Sequence, residues 1–207
     1  MQKIVVATGN PGKLREIAKI LADLSVEVIG LSEFPPIVEP EENEPDFAGN
    51  AREKALYYAQ QTGSWCIADD SGLVVDALAG APGVFSARYA AEDCPADSPR
   101  EIIDQANNAK LIRSLANTPA QKRTARFVCY LALAKPGEVL AETSGAVEGR
   151  IVDTPAGEAG FGYDPHFYID ALSKTTAQLG ADEKNAISHR GQAVRKLAKL
   201  LPELLSK

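Results

Sequence analysis

From Arg126 to Ala134 the sequence reads RFVCYLALA, and after the opening arginine it carries no charge. With Phe127, Val128, Tyr130, Leu131 and Leu133 in one run, there is no polar side for water to meet. Such a run predicts a central β-strand covered on both faces, the environment of strands flanked by helices. The flanking segments supply what that strand needs. Lys3–Ala7 and Val26–Ile29 read as short strands, and Val139–Val147 as a strand pairing with the central one across KPGE. Cys66–Ala68 reads as a brief strand ending in DDSG, with Leu73–Val75 continuing it beyond a turn. Between these lie apolar residues at helical spacing: Leu14, Ile17, Ala18, Leu21 and Leu24, then Phe47, Ala51, Ala55 and Tyr58 in a helix over 47–61. Ser98-Pro99-Arg100-Glu101 has the pattern of a capping box and predicts a helix to about Ala116. A last helix takes in Ile187, Val194, Leu197, Ala198 and Leu201. The mixture predicts an α/β fold built on a mixed sheet flanked by helices.

Bulk properties narrow the function. With 207 residues, 45% of them hydrophobic, the chain suits one sizeable domain or two closely packed lobes. A formal net charge of -6 argues against a binder of nucleic-acid polymers, while leaving a single nucleotide open as ligand. No apolar run approaches the ~18 residues that span a bilayer, and the N-terminus does not read as a signal peptide, so no membrane association is expected. Cys66, Cys94 and Cys129 are odd in number and widely spaced. They read as reduced thiols of a cytoplasmic protein, two of them filling core. His166 and His189 are the only histidines, so zinc is not expected. A metal would be held by carboxylates, which favours magnesium, with manganese as a substitute.

Five constellations bear on chemistry. In VVATGNPGK, Asn10 is a favourable N-cap and Pro11 suits the first helical position, which puts Lys13 in the first turn of a helix. A cation is mildly unfavourable there, and together with the helix N-terminus it would attract an anion. Thr8, Gly9, Asn10 and Lys13 thus read as a phosphate cradle, or more plainly as a strand-to-helix turn with a solvent lysine. The pattern is not a Walker sequence, which sets aside a P-loop kinase or GTPase. Glu39, Glu41, Glu42, Glu44 and Asp46 precede a helix. They read as a solvated acidic loop with Asp46 as cap, one or two of its acids being available to a divalent cation. Asp69 and Asp70 are adjacent on a strand and so point to opposite faces; they suit a metal ligand and water activator, or a turn. In GFGYDP, Phe161 and Tyr163 would project to one side of an extended backbone and could stack on a purine, or fill core beside a bend. EKNAISHRG brings Lys184, Ser188, His189 and Arg190 to the start of the last helix, with Lys184 and Ser188 four apart on one helical face. Together these are the parts of a nucleoside triphosphate site.

The ordered blocks TGNPGK (8–13), NAREKA (50–55), ADDSGL (68–73), GAPGVFSARYA (80–90), GFGYDP (160–165) and EKNAISHRG (183–191) carry a resemblance. The sequence resembles the inosine/xanthosine triphosphate pyrophosphatases, and its bacterial members throughout. The resemblance implies a twisted mixed sheet in two lobes, a central nucleotide cleft and a homodimer. It implies that Thr8, Gly9, Asn10, Pro11, Gly12 and Lys13 hold the triphosphate, with Lys54 adding positive charge. Glu41 and Asp70 would bind magnesium, with Glu42 as the alternative to Glu41, and Asp70 would also activate water. Ser71 would sit at the substrate, and Phe161, Gly162, Tyr163 and Asp164 would embrace the base. Lys184, His189 and Arg190 would complete the site. The implied reaction is hydrolysis of ITP, dITP or XTP to the monophosphate and pyrophosphate. Its rivals are a nucleotide sensor without hydrolysis and a pyrophosphatase of ordinary triphosphates.

Overall fold

The computed structural model describes residues 1–206, and it divides them into two compact units. Unit 1 comprises residues 1–70, 129–145 and 188–206, and unit 2 comprises 71–128 and 146–187. The strands are β1 (Gln2–Val6), β2 (Val26–Gly30), β3 (Trp65–Val75), β4 (Thr124–Lys135), β5 (Glu138–Ile151), β6 (Phe167–Ile169) and β7 (Lys174–Thr175). The helices are α1 (Pro11–Leu21), α2 (Phe47–Thr62), α3 (Arg100–Ser114), α4 (Ala181–Ile187) and α5 (His189–Leu205). The strands form one mixed sheet in the order β2-β1-β3-β4-β5-β6-β7. The apolar run over 126–134 is the fourth strand, at the centre, as its sequence requires. β1 runs parallel to β2 and β3, with Ile4 opposite Val28 and Val5 opposite Cys66, whereas β5, β6 and β7 pair antiparallel.

In unit 1 the two-residue period of the strands sorts side chains to opposite faces. Ile4, Val6, Ile67, Cys129, Leu131 and Leu133 pack with Ile17 and Leu21 of α1 and with Val194, Leu197 and Leu201 of α5. The residues between them, Val5, Cys66, Ala68, Ala132 and Ala134, pack with Ala51, Ala55, Tyr58 and Ala59 of α2. Small side chains on the second face let α2 lie close. Cys66 and Cys129 are core residues as expected, and burial pushes the Cys66 thiol up to about 12. Gly145 of β5 brings α5 in equally close: a Cβ there would stand 2.2 Å from the His189 carbonyl oxygen. Unit 2 has its own core of Leu73, Val75, Leu111, Leu115, Ile151, Tyr163, Phe167 and Leu179.

Local signals set most element boundaries, and three expectations need correction. β3 does not turn at DDSG but runs unbroken through it, because Ile67, Ala68, Leu73 and Val75 are all buried and the two aspartates find partners within the fold. Ser98 forms no capping box: its hydroxyl donates to Pro95 O at 2.7 Å, and α3 starts one residue late, with Pro99 as its N-cap. The last helix begins at His189, with Ile187 ending the separate α4. Ser188 is the break, an extended residue whose Oγ accepts from Gly191 N at 2.9 Å. Lys184 and Ser188 therefore do not share a helical face. No helix among the described residues is long and apolar enough to cross a membrane.

Candidate active site

Strand periodicity decides what each of the paired aspartates meets. Asp69 follows Ile67 onto the α1/α5 face, and Asp70 follows Ala68 onto the α2 face. Asp69 is buried and accepts from Lys13 Nζ with both oxygens, at 3.1 and 3.0 Å, and from Arg190 Nε at 3.2 Å. This explains the lysine in the first turn of α1. A cation at a helix start costs about 0.3–1 kcal/mol, whereas stripping a buried carboxylate of its partner costs about 3–5 kcal/mol. The pair outweighs the dipole. Burial alone would raise the Asp69 pKa, but the charges of Lys13, Arg190 and Lys54 overcome it and hold the carboxyl well below the usual range.

Arg190 opens α5, and its guanidinium lies between two acids. Besides Asp69, it meets Glu16 Oε2 through Nη1 at 3.4 Å, while Ser188 Oγ donates to Glu16 Oε1 at 2.9 Å. Burial works against the Arg190 charge, and Asp69 and Glu16 more than restore it. Lys13, Asp69, Arg190 and Glu16 thus make an alternating series of charges, whose ends sit one turn apart on α1. His189, half-buried, is the first residue of α5.

On the other face, Asn50 of α2 donates to Asp70 Oδ2 at 2.9 Å, and both residues are buried. Asn50 accepts from Glu44 N through its own oxygen, so the segment before α2 fixes its amide orientation. Lys54, one turn further, donates to Glu42 Oε1 at 2.6 Å. Burial lowers the Lys54 pKa, but Glu42, Asp69 and Asp70 raise it beyond the ordinary value. Of the two acids that the sequence leaves open, Glu42 is thus the one in electrostatic company with Asp70. Glu41 is exposed and accepts from Asn43.

The loop over 8–12 departs from a bare amide cradle. Asn10 Oδ1 accepts from Gly12 N at 2.8 Å and Lys13 N at 3.3 Å, and Thr8 Oγ1 accepts from Asn10 N at 3.1 Å. Pro11 has no amide hydrogen, so the loop's own side chains take up the first donors of α1. Gly9, Asn10, Pro11 and Gly12 are nonetheless exposed.

Unit 2 carries a second group. Phe161 and Tyr163 do not project to one side, because Gly160 (φ 83°) and Gly162 (φ 62°) bend the chain instead of extending it. Tyr163 is core, its hydroxyl donating to Ser86 O at 2.9 Å, while Phe161 is 59% exposed. Asp164 holds this turn together. Its Oδ2 accepts from Phe161 N at 2.8 Å and from Lys184 Nζ at 2.5 Å, and its Oδ1 from Thr176 Oγ1 at 2.8 Å. Lys184 Nζ lies 5.4 Å from the Phe161 ring centre. A Cβ on Gly160 would stand 2.1 Å from Asp164 Oδ2, so no side chain fits there. Ser71, the first residue of unit 2, is half-buried on β3.

The sequence profile of the Ham1 family matches residues 4–200. The chain belongs to the Ham1 family. Its curated relatives include the dITP/XTP pyrophosphatase of Desulforamulus reducens, 47% identical over 98% of this chain and 96% of that one. Ham1 proteins of Coxiella burnetii and Staphylococcus aureus, of known structure, are each 41% identical over 98% of this chain. They cover 100% and 99% of their own length at a TM-score of 0.85, which bears out the mixed α/β fold. Sequence reasoning missed Glu16, Asp104, Asn108 and Thr176. Their partners lie 174, 58, 54 and 12 residues away, and nothing local announces such pairs.

Proposed function

We propose that the protein hydrolyses deaminated purine nucleoside triphosphates, ITP, dITP and XTP, to the monophosphate and pyrophosphate. The observation that carries this reading is the pair Asp69–Asp70. One carboxylate is locked between the cations of Lys13 and Arg190, and its neighbour, which accepts from Asn50, is presented to the opposite face. Membership of a family that includes dITP/XTP pyrophosphatases supports it.

Unit 1 supplies the phosphate chemistry. Asp70 orients a water molecule and accepts its proton, so that the water oxygen forms a new P–O bond. The bond from the α phosphorus under attack to the oxygen it shares with the β phosphorus breaks, and pyrophosphate leaves with that oxygen and the electron pair. Lys13 and Lys54 offer their positive charge to the phosphate oxygens, and Thr8 to Gly12 directly precede Lys13 in the chain. Glu16, Glu42, Asp69 and Asp70 stand against Lys13, Lys54 and Arg190, four carboxylates against three cations, so the group is not cationic on its own. A triphosphate therefore calls for further positive charge. The donor set is oxygen only, which fits magnesium (manganese as a substitute), and no group of three or more acidic, His or Cys ligands is arranged to cage an ion among the described residues. Asp70 and Glu42, rather than Glu41, would hold such an ion. When bound, such an ion neutralises phosphate charge.

Unit 2 supplies the base platform, with the Phe161 ring on the turn braced by Asp164 and Lys184. Hypoxanthine and xanthine present an acceptor at position 6, where adenine presents a donor. Arg190 is the proposed donor to it: two of its five N–H groups meet Asp69 and Glu16, and a purine carbonyl would use others. His189 and Ser71 complete the nucleotide contacts in this reading. We further propose a homodimer, which sedimentation velocity tests, and a cytoplasmic setting, which suits cysteines held in no disulfide among the described residues. The decisive experiment is a nucleotide panel with magnesium, scoring pyrophosphate apart from orthophosphate. Pyrophosphate from ITP, dITP and XTP at rates far above ATP is expected. Orthophosphate as product, or equal rates on ATP, contradicts the reading.

A further inference from the structure

Gly162 stands between the exposed Phe161 and the buried Tyr163, and helix α3 grips both of its backbone polar groups. Asp104 Oδ2 accepts from Gly162 N at 3.0 Å, and Asn108 Nδ2, one turn later, donates to Gly162 O at 2.9 Å. Residues four apart on a helix share a face, so one turn of α3 addresses one peptide unit on each side of a single residue. Asp104 is itself buried and paired with Arg100 Nε at 2.9 Å, and the second amide hydrogen of Asn108 goes to Asp104 O at 2.9 Å.

The arrangement is not the one that stability alone selects. Asn108 Oδ1 is buried with no hydrogen-bond partner among the described residues, and an unsatisfied buried acceptor is destabilising. An asparagine here is explained by what its amide donates to, which is Gly162. The turn is also braced at Phe161 N by Asp164 and at the Tyr163 hydroxyl by Ser86 O. Each backbone or side-chain polar group of 161–163 named here is tied down, yet the one large apolar ring on the turn faces solvent. An immobilised backbone beneath an exposed ring is what a stacking surface requires, because a ring fixed beforehand loses little freedom when a base lies on it.

We propose that Asp104 and Asn108 are positioning residues for nucleotide recognition, acting through Gly162 to set the plane of the Phe161 ring. This rests on the reading of Phe161 as the base platform. They touch neither the phosphates nor the reacting atoms in this account, so their loss acts on KM rather than on kcat.

The test is a double-mutant cycle between Asn108→Ala and Phe161→Ala, measured on whichever nucleotide the wild-type protein turns over best. Asn108→Ala alone is expected to raise KM about five- to twentyfold with kcat within about twofold. Asp104→Asn, which keeps an acceptor for Gly162 N, is expected to retain KM within about threefold, and Asp104→Ala is not. In the Phe161→Ala background the Asn108 substitution is expected to add less than about a twofold change, because the ring it positions is gone. Additive effects, with the same factor in both backgrounds, would overturn the inference, as would an unchanged KM in a folded Asn108→Ala protein. If Asn108→Ala fails to fold, the Asp104→Asn and Asp104→Ala pair decides by the same criteria. A wild-type preference for ATP would sink the proposed substrate class while leaving the coupling between Asn108 and Phe161 to be read on ATP.

Discussion

The two groups of functional side chains are built in opposite ways. In unit 1 the side chains carry the chemistry and the charges hold one another: Lys13 and Arg190 flank Asp69, Glu16 backs Arg190, and Asn50 and Lys54 attend Asp70 and Glu42. Asp69, Asp70, Asn50 and Arg190 are buried, so a missing partner there leaves a polar or charged group without water. In unit 2 the backbone carries the shape. Asp164, Asp104, Asn108 and Ser86 hold a turn with left-handed glycines, and the group it offers, Phe161, is exposed and makes little of the fold. An electrostatic group of the first kind should lose turnover or stability when one member is removed. A platform of the second kind should lose affinity while the fold stays intact.

Substitutions in unit 1 give the largest expected effects. Asp70→Asn should fold normally and lose about 10²–10⁴-fold in kcat, the usual worth of a positioned acid–base group. Retention of more than about a tenth of wild-type turnover would remove Asp70 from that role. Asp69→Ala should lose about 3–5 kcal/mol of stability, because two cations are left without their shared carboxylate. A denaturation midpoint equal to wild type would show that this pairing is dispensable.

The same pairing sets a pH dependence. The Asp69 pKa in the fold lies below its ordinary value of 3.8, so the unfolded chain binds its proton first as pH falls. The stabilisation from Asp69 is therefore full above about pH 5 and drains away below about pH 4. A melting profile of wild type and Asp69→Asn should show a gap at pH 7 that narrows as pH falls below 4. A gap that widens toward acid would reverse the sign and refute the assignment.

The smaller effects belong to unit 2 and to recognition. Phe161→Ala should cost about 1–3 kcal/mol in nucleotide binding, read as KM, and leave the melting temperature almost unchanged. Arg190→Ala should shrink the preference for ITP over ATP, although it also frees Asp69 and Glu16, so stability must be measured beside it. An unchanged ITP to ATP ratio would take Arg190 out of base selection.

The contrast also explains what the sequence made legible. Several residues that act on their near neighbours read correctly. Asn10 caps α1, Asp46 caps α2 through Gly49 N, and the apolar run over 126–134 becomes the central strand. Strand alternation even sends Asp69 and Asp70 to different faces as expected, though not at a strand's end. The partners of those aspartates were not legible, since Asn50, Lys13 and Arg190 lie 20, 56 and 121 residues away. The aromatic pair misled for a physical reason. Period-two spacing places Phe161 and Tyr163 together only in extended backbone, and the glycines on either side of Phe161 replace extension with a tight turn. Ser98 misled because its hydroxyl closes the preceding turn instead of capping α3.

Steady-state kinetics of Asp70→Asn and Phe161→Ala on ITP with saturating magnesium test this division of labour most directly. The account predicts that Asp70→Asn loses kcat with KM within about threefold, and that Phe161→Ala raises KM with kcat within about threefold. Equal losses in both constants for both variants, or the opposite assignment of kcat and KM, would contradict it.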